Sequence, residues 1–275
     1  MKAWITLLTQ PDYLVGVQAL HKSLRQSQSA YPLVVMVTDK IAAADRATLA
    51  AMGCLIREVE PLSPQADLQH HYASAQFSEV WTKLRAWQLT EFARLVFLDA
   101  DMLVLKNMDE LFELSLARDT IAACHACRCN PNKVASYPAS WQPENCFYTW
   151  QDRGQPAPST LDNYLNGGFL VLTPDDGLFA ALADRIAAID DLAAYPFSEQ
   201  DLLNEFFAER WQPLSWTYNA LKTLPFQHAA SCKFDEIKNL HYIQAKPWHR
   251  DLNQPESERD KYYALDELWW QKKRA

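Results

Sequence analysis

Two aspartates separated by one residue follow an apolar, strand-like run in this sequence. Residues 94–98 read RLVFL, and Asp99-Ala100-Asp101 comes directly after them. The two carboxylates would face opposite ways if the strand continued, but a bend would let both reach one point. Two anionic oxygens at the carboxyl edge of a parallel sheet suit a hard divalent cation, which can in turn hold a diphosphate. A strand-end aspartate pair that only caps a turn is the competing interpretation, and this short pattern alone does not decide.

The glycine content excludes the common phosphate-binding loops. The glycines are Gly16, Gly53, Gly154, Gly167, Gly168 and Gly177. No arrangement of them gives G-x-G-x-x-G or G-x-x-x-x-G-K, so the sequence has neither a dinucleotide fingerprint nor a P-loop. If the protein binds phosphate groups, it must use a metal ion and side chains.

A cysteine-rich segment offers a second kind of metal site. Residues 124–129 read CHACRC, and Cys146 follows them. Zn²⁺ takes four thiolate or imidazole ligands in a tetrahedron, and the candidate set here is Cys124, Cys127, Cys129 and Cys146. Because no second C-x-x-C pair exists, we favour reduced cysteines that pack beneath a loop. Six cysteines in 275 residues are also too few for a disulfide scaffold.

Composition and charge narrow the class of protein. Hydrophobic residues make up 49% of the chain and charged residues 22%, as in ordinary globular proteins. The net charge of −8 argues against a broad nucleic-acid-binding surface. No apolar run approaches the roughly 18 residues that span a bilayer, and residues 1–9 are too short for a secretory signal. We therefore expect a cytoplasmic protein without a transmembrane segment.

The first half of the chain alternates between strand-like and helix-like patterns. Strands are predicted at 3–9, 33–38, 54–59 and 94–98, and helices at 12–27, 41–52 and 80–89. This βαβαβ rhythm predicts an α/β fold in which helices cover a parallel sheet. The Asp pair would then lie at the carboxyl edge of that sheet.

The second half is less regular. Strands are predicted at 167–172 and 240–243, and irregular segments at 60–77 and 124–162. Thr173 is expected to be the N-cap of one helix, Ser198 opens another, and a C-terminal helix begins within 257–260. No linker or internal repeat is evident, so one domain is the simplest account.

Motifs along the whole chain resemble the family-8 glycosyltransferases, which include glycogenins and galactinol synthases. In chain order the matching segments are TLLT at 6–9 with Tyr13, WTKLRAW at 81–87, LVFLDADMLVLKN at 95–107, NGGFLVL at 166–172, EQDLLN at 199–204, WTYN at 216–219, HYI at 241–243 and KPW at 246–248. The resemblance covers residues 3–250. An ordered set of motifs is far more specific than D-x-D alone.

The resemblance implies a GT-A fold with a Rossmann-like nucleotide-binding half and a central, mostly parallel sheet. It implies one domain over residues 1–275, with a nucleotide-sugar half at 1–110, an acceptor half at 111–250 and a C-terminal helix at 257–274. The implied donor is a UDP-sugar, and the implied cofactor is Mn²⁺, with Mg²⁺ as an alternative. Transfer would retain the configuration of the anomeric carbon.

The same resemblance implies roles for particular residues. Asp99, Asp101 and His241 would ligate the metal, a donor set that suits Mn²⁺ better than Ca²⁺. The UDP-sugar would contact Leu7, Thr9, Tyr13, Lys83, Asp99, Ala100, Asp101 and Lys246, although Leu7 and Tyr13 could equally be simple core residues. The implied catalytic residues are Glu199 and Gln200, at a helix N-terminus that can orient a sugar, and Asn166, whose amide can both donate and accept.

Departures from the glycogenin pattern bear on the acceptor. Gln244 replaces the glycine of the H-x-x-G motif, Glu199 stands where glycogenins have Asp, and no segment matches the self-glucosylated tyrosine. We therefore expect a separate acceptor, such as the polyol myo-inositol or a saccharide. The sequence does not distinguish glucose, galactose and N-acetylglucosamine as the donor sugar, and it leaves a homodimer open.

Two other functions are compatible with parts of the sequence. The segment FLDADML at 97–103 also resembles the D-x-D strand of haloacid-dehalogenase-like phosphatases. That motif normally lies near the N-terminus and has Thr or Val after its second aspartate, where this chain has Met102. A non-catalytic protein that binds a sugar nucleotide or zinc is the other alternative.

Overall fold

The computed structural model of the protein describes residues 1–64 and 79–275. Its strands are β1 (Lys2–Leu8), β2 (Leu33–Val37), β3 (Leu55–Glu58), β4 (Arg94–Leu98), β5 (Met102–Val104), β6 (Ile121–His125), β7 (Leu165–Leu172), β8 (Trp211–Pro213), β9 (Ala220–Leu221) and β10 (Asn239–His241). Its α-helices are α1 (Leu14–Gln26), α2 (Ala43–Ala51), α3 (Phe147–Asp152), α4 (Asp176–Ala187), α5 (Glu199–Phe206), α6 (Leu224–Gln227) and α7 (Tyr263–Arg274).

A central sheet of seven strands organises the molecule, in the order β3-β2-β1-β4-β7-β6-β8. Strands β3, β2, β1 and β4 are parallel, β7 runs antiparallel to both β4 and β6, and β8 is parallel to β6. A smaller sheet has the order β5-β10-β9. The predicted α/β class with a mostly parallel central sheet is therefore confirmed.

Burial on both faces explains why the central strands are almost continuously apolar. Successive side chains of a strand point to opposite faces of the sheet. Trp4 and Val96 lie in the core beneath α1, whereas Ile5 and Phe97 lie in the core on the other face with Trp87. Both layers hold the end of β4 in place, and the Asp pair follows it.

Backbone contacts fix the turn that carries the Asp pair. The Asp99 N–H donates to the carbonyl of Gly168 next to β4, at 3.0 Å, and the Tyr242 N–H donates to the carbonyl of Asp101, also at 3.0 Å. Gly16 of α1 lies so close that a Cβ there would be 2.4 Å from the Ala100 carbonyl oxygen. The turn is thus enclosed by β7, β10 and the first turn of α1.

Several sequence-predicted elements differ in detail. Residues Val80–Gln88 form a 3₁₀ helix rather than an α-helix. The N-cap of α4 is Asp175 and not Thr173, because the Asp175 carboxylate accepts the Leu178 N–H at 2.9 Å while the preceding backbone stays extended. The irregular segment predicted at 124–162 begins later, since β6 continues to His125.

The C-terminal helix also begins later than predicted, at Tyr263 rather than within 257–260. Asp260 accepts the Tyr262 N–H at 2.8 Å and pairs with Arg250, so it serves a turn ahead of the helix. Of the irregular segment predicted at 60–77, residues 65–77 lie outside the described residues. Across residues 1–64 and 79–275, the helices are all too short or too polar to cross a membrane.

Candidate active site

A cavity of about 550 Å³ opens at the carboxyl edge of β1 and β4. The residues proposed from the sequence for donor, metal and catalysis all line it: Leu7, Thr9, Tyr13, Lys83, Asp99, Ala100, Asp101, Asn166, Glu199, Gln200, His241 and Lys246. The structure therefore brings together residues that are spread over more than two hundred positions of the chain. Their individual roles stay predictions.

Asp99, Asp101 and His241 form a compact acidic cluster at the base of this cavity. His241 Nε2 lies 3.2 Å from an Asp101 oxygen and 3.8 Å from an Asp99 oxygen. His241 Nδ1 donates to the Asn219 side-chain oxygen at 2.9 Å, so Nε2 is the ring nitrogen that faces the two carboxylates and would offer its lone pair to a metal ion bound among them. Carboxylate and imidazole ligands that converge in this way suit a divalent metal ion that binds both oxygen and nitrogen.

Gly168 leaves the space that this cluster needs. A Cβ at this position would lie 2.6 Å from His241 Cε1 and 2.8 Å from an Asp99 oxygen. Real Cβ atoms do not approach other atoms so closely, so any side chain here would displace a ligand of the cluster. The three ligand atoms meanwhile lie within 4.8 Å of one another. The residues present therefore fit a bound metal ion.

Two buried lysines balance the carboxylates. Lys83 Nζ lies 3.1 Å from Asp99, 2.7 Å from Glu199 and 3.2 Å from the Gly167 carbonyl. Burial lowers the pKa of Lys83, but the two carboxylates outweigh it and raise that pKa overall. Burial raises the pKa of Asp99, and the charge of Lys83 opposes this only in part.

Lys246 stands on the other side of the cluster. Its ammonium group pairs with Asp101 and donates to the Tyr242 carbonyl at 3.1 Å. Burial opposes the ionisation of Asp101, but the charges of Lys246 and His241 together lower the pKa of this carboxyl group. Lys246 is therefore a fixed positive charge at the wall of the cavity, within reach of any anion that enters.

A strained residue, Ser198, precedes α5 and contacts Glu199. Ser198 has φ +47°, a left-handed value that is uncommon outside glycine, and its side chain does not cap the helix as Ser198 was expected to. Instead its hydroxyl donates to the Glu199 carboxylate at 2.7 Å. Glu199 is thus held by Ser198 on one oxygen and by Lys83 on the other.

A chain of hydrogen bonds links Gln200 to the cluster of Asp99, Asp101 and His241. The Gln200 side-chain oxygen accepts the Gly167 N–H at 3.0 Å and the Asn166 amide at 3.1 Å. The Asn166 oxygen accepts from Gly168 N–H at 3.1 Å and from the Asn219 amide at 2.8 Å, and Asn219 in turn holds His241. Asn219 ends the WTYN motif at 216–219, and the family resemblance implied no role for it.

The far wall of the cavity is aromatic, and the sequence did not reveal it. Trp141 stacks on Phe197 with ring centroids 4.3 Å apart, and Tyr137 meets the edge of Phe197 at 5.0 Å. All three rings line the cavity. The signal in the sequence was the occurrence of Tyr and Trp in an otherwise polar, Pro-rich segment, which ordinary surface loops seldom contain.

Gln244 joins this wall to the metal-binding side. Its oxygen accepts from the Asn132 amide at 2.7 Å, and its backbone has φ +63°, in the left-handed region. The glycogenin motif has glycine at the corresponding place, and the backbone conformation explains why glycine suits it. In this chain Gln244 adopts the strained conformation, and its side chain makes the contact with Asn132.

The candidate zinc set named from the sequence differs from the group that the structure brings together in one member. Cys124 lies in β6, and its thiol donates to the Ser215 carbonyl at 3.2 Å, away from the other cysteines. Cys127, Cys129 and Cys146 do converge, and the fourth group that meets them is His228. His228 follows Cys146 by more than eighty residues, so no local spacing connects it to the cysteines.

Sequence comparisons place the chain among glycosyltransferases. The family model described as "Glycosyl transferase family 8" matches residues 4–252. The chain is 31% identical to galactinol synthase 7 and 32% identical to galactinol synthase 4 of Arabidopsis thaliana. It is also 30% identical to galactinol synthase 1 of Solanum lycopersicum. Each alignment covers 98% of this chain and 80% of the relative.

Solved structures share the fold. The glycosyltransferase GlyE of Streptococcus pneumoniae TIGR4 has a TM-score of 0.64 at 18% identity, over 99% of this chain and 61% of GlyE. The galactosyltransferase LgtC, solved with donor and acceptor sugar analogues, has a TM-score of 0.57 at 18% identity, over 99% of this chain and 100% of LgtC. These likenesses confirm the GT-A fold.

The fold and the cavity define a glycosyltransferase of the GT-A type. More particularly, the chain belongs to glycosyl transferase family 8, since the family model spans nearly all of it. The phosphatase interpretation of the D-x-D strand is therefore wrong. The non-catalytic interpretation fails as well, because the galactinol synthase relatives match over nearly the whole chain.

Proposed function

We propose that this protein transfers a hexosyl group from a UDP-sugar to a separate polyol or saccharide acceptor, with retention at the anomeric carbon. The observation that carries the proposal is the cluster of Asp99, Asp101 and His241, set between Lys83 and Lys246 in a cavity whose far wall is aromatic. One side of the cavity suits a diphosphate, and the other suits a sugar-like ligand.

The donor side supports a nucleoside diphosphate. Asp99, Asp101 and His241 would hold a divalent cation, with Mn²⁺ preferred over Mg²⁺ because one ligand is an imidazole. When bound, such a cation supplies positive charge that stabilises the diphosphate leaving group. Lys246 would provide a point charge on the same group, in a chain without a glycine-rich loop. Leu7, Thr9 and Tyr13 line the rest of this side and would receive the uracil and ribose.

The acceptor side supports a polyol or sugar. Aromatic faces such as those of Trp141 and Tyr137 can pack against the C–H faces of a ring that carries hydroxyl groups at its rim. The curated relatives are galactinol synthases. By analogy with these relatives, we propose UDP-galactose as the preferred donor and myo-inositol as the first acceptor to test.

The proposed mechanism relies on positioning rather than on a covalent intermediate. Both oxygens of Glu199 are engaged, one by Lys83 and one by Ser198, which disfavours this carboxylate as a nucleophile. Gln200 would place its amide dipole beside the developing positive charge of the anomeric carbon. Asn166, whose oxygen is occupied by two internal donors, would orient Gln200 and a sugar hydroxyl through its amide N–H groups.

A donor and acceptor screen tests the proposal. The full chain is incubated with Mn²⁺, a panel of UDP-hexoses, and myo-inositol or simple saccharides, and the products are identified by mass spectrometry and NMR. We expect an α-linked product from an α-linked donor, and near-complete loss of transfer in the Asp101→Asn variant or in excess chelator. Full activity of that variant would refute the metal assignment. An inverted product would refute the mechanism, and a glycosyl ester trapped on Glu199 would refute its non-covalent step.

A further inference from the structure

A second cluster of potential metal ligands lies outside the proposed catalytic chemistry. Cys127 and Cys129 follow β6, Cys146 directly precedes α3, and His228 directly follows α6. All four residues are buried, and their ligand atoms lie within 4.8 Å of one another. Three separate parts of the chain thus bring three sulfur atoms and one imidazole nitrogen to the same point.

The distances match those of a tetrahedral zinc site. Zn–S bonds of about 2.3 Å and Zn–N bonds of about 2.0–2.1 Å separate ligands by about 3.8 Å for S···S and about 3.6 Å for S···N. His228 Nε2 lies 3.4 Å from Cys127 Sγ, 3.3 Å from Cys129 Sγ and 3.7 Å from Cys146 Sγ. Cys127 Sγ and Cys146 Sγ are 4.0 Å apart, far beyond the S–S bond of about 2.05 Å in a disulfide.

The outer contacts of His228 also fit a metal ligand. Its Nδ1 donates to an Asp152 oxygen at 2.7 Å, and the other Asp152 oxygen accepts from the Ser231 N–H at 3.0 Å and from its hydroxyl at 2.6 Å. Asp152 therefore fixes the imidazole tautomer with the Nε2 lone pair towards the three sulfurs. A carboxylate behind a ligating histidine is the usual outer partner at zinc sites.

We propose that Cys127, Cys129, Cys146 and His228 bind one structural Zn²⁺ ion. Four protein ligands of these types complete a closed tetrahedral site with no open position for substrate, so the role is structural and not catalytic. The set also excludes the hard cation proposed for the Asp pair, since thiolates favour softer metals.

The position of the cluster suggests what the zinc stabilises. Between Cys129 and Cys146 the chain contains one short 3₁₀ helix and otherwise no regular structure, yet it supplies Tyr137 and Trp141 to the cavity wall. Loops without a hydrogen-bonded ladder are usually mobile. A metal that ties both ends of this segment to the end of α6 would hold the aromatic wall in one conformation.

Metal analysis of the full chain tests the site. The protein is purified without chelators and without a metal-affinity tag, and zinc is measured by inductively coupled plasma mass spectrometry. We expect about one zinc per chain, and loss of most of it in Cys129→Ser and in Cys146→Ser. Cys124→Ser and Asp101→Asn are the matched controls and should keep it. A wild-type chain without zinc, or with iron in its place, would overturn the proposal.

Three further measurements do not depend on the folding of the serine variants. His228→Cys should retain zinc, because four thiolates also form a tetrahedral site. In the wild-type protein, a mercurial reagent should release zinc in step with the modification of thiols, and growth with cobalt should give thiolate-to-cobalt charge-transfer absorption. Zinc that stays bound while the thiols react would show that the cysteines are not the ligands.

Discussion

Each carboxylate of the Asp pair is paired with a different lysine, and these pairs set the balance of charge in the site. Asp99 pairs with Lys83 and Asp101 with Lys246, while Glu199 shares Lys83. By formal charge, three carboxylates and two ammonium groups leave one net negative charge before His241 is counted. A buried site with unbalanced carboxylates attracts a cation, and the lysines keep this attraction moderate. A bound cation in turn makes the site ready for a diphosphate.

Lys246 is the residue whose loss should weaken donor binding most directly. We expect Lys246→Ala to weaken UDP binding in the presence of Mn²⁺ by about 1.5–3 kcal/mol, the range for a hydrogen bond to a charged group. Isothermal titration calorimetry measures the affinity, and Lys261→Ala, which removes an exposed lysine, is the control. Unchanged affinity in Lys246→Ala would mean that this lysine only neutralises Asp101.

A substitution at Gln200 should separate the binding of UDP from the rate of the chemical step. We expect Gln200→Ala to lower kcat by roughly 10²–10³-fold, the usual effect of losing one electrostatic group at a reacting centre, with UDP affinity nearly intact. Steady-state kinetics and calorimetry measure the two quantities. Gln212→Ala changes an exposed glutamine of β8 and should leave both unchanged. A variant that binds UDP poorly but keeps its kcat would contradict a catalytic role for Gln200.

At the scale of the elements, β7 matters as much as the strand that carries the Asp pair. Gly167 and Gly168 of β7 bring its backbone against Gln200 on one side and against the cluster of Asp99 and His241 on the other. Two carbonyl groups of β7 also accept hydrogen bonds, that of Gly168 from the Asp99 N–H and that of Gly167 from Lys83 Nζ. It is therefore the element through which the donor and catalytic residues are held together.

Gly168→Ala tests this close approach. The added Cβ would collide with His241 and Asp99, and overpacking of this kind costs about 1–3 kcal/mol. We expect the cost to appear as weaker Mn²⁺-dependent UDP binding, measured by calorimetry. Gly177→Ala, in the first turn of α4, adds the same methyl group away from the cavity and should leave binding intact. Equal affinity in both variants would show that β7 can move aside.

The backbone of the turn after β10 is strained at Gln244. Two substitutions separate the effect of this strain from that of the side-chain contact. Both Gln244→Gly and Gln244→Ala lose the contact with Asn132, but only glycine adopts φ +63° without a steric penalty. We expect the alanine variant to be less stable than the glycine variant by about 1 kcal/mol. Denaturant unfolding followed by tryptophan fluorescence measures the difference. A glycine variant that is the less stable of the two would show that unfolded-chain entropy dominates at this turn.

At the scale of the whole molecule, partly buried polar groups connect α5 to the walls of the cavity. Asp201 accepts from the Tyr164 hydroxyl and from the Phe197 N–H at 2.6 Å, and Tyr164 also receives the Gln200 amide at 3.2 Å. Burial raises the pKa of Asp201 to about 6, although both hydrogen bonds favour the ionised form. The stability of the molecule therefore depends on the protonation of this group.

The raised pKa of Asp201 predicts how the stability of the protein depends on pH. Its pKa is about 6 when folded and about 3.9 when unfolded, so between these values the folded state binds more protons. Its contribution to stability is thus complete below about pH 4 and is lost as the pH rises through about 6. We expect the free energy of unfolding of Asp201→Asn, relative to wild type, to rise by about 2 kcal/mol from pH 4 to pH 7. Parallel pH profiles of the two proteins would contradict the raised pKa.

The sequence alone determined the parts of this protein that rest on local pattern. Alternating apolar runs gave the α/β class and the bounds of β1, α1, β2 and β4 to within about two residues, because strand and helix periods are local properties. The ordered motifs identified the glycosyltransferase family and named residues that all line one cavity. Because the sequence has no glycine-rich phosphate-binding loop, it predicts that Asp99 and Asp101 hold phosphate through a metal ion.

Only the tertiary structure decided which distant groups meet. His228 joins cysteines that precede it by more than eighty residues, Asn219 holds His241, and Lys83 reaches Glu199 from another element. The aromatic wall at Tyr137 and Trp141 likewise forms only when that segment packs against Phe197. Such contacts depend on the order of strands in the sheets and on the paths of the connections between them. Neither can be predicted from the spacing of residues within one segment.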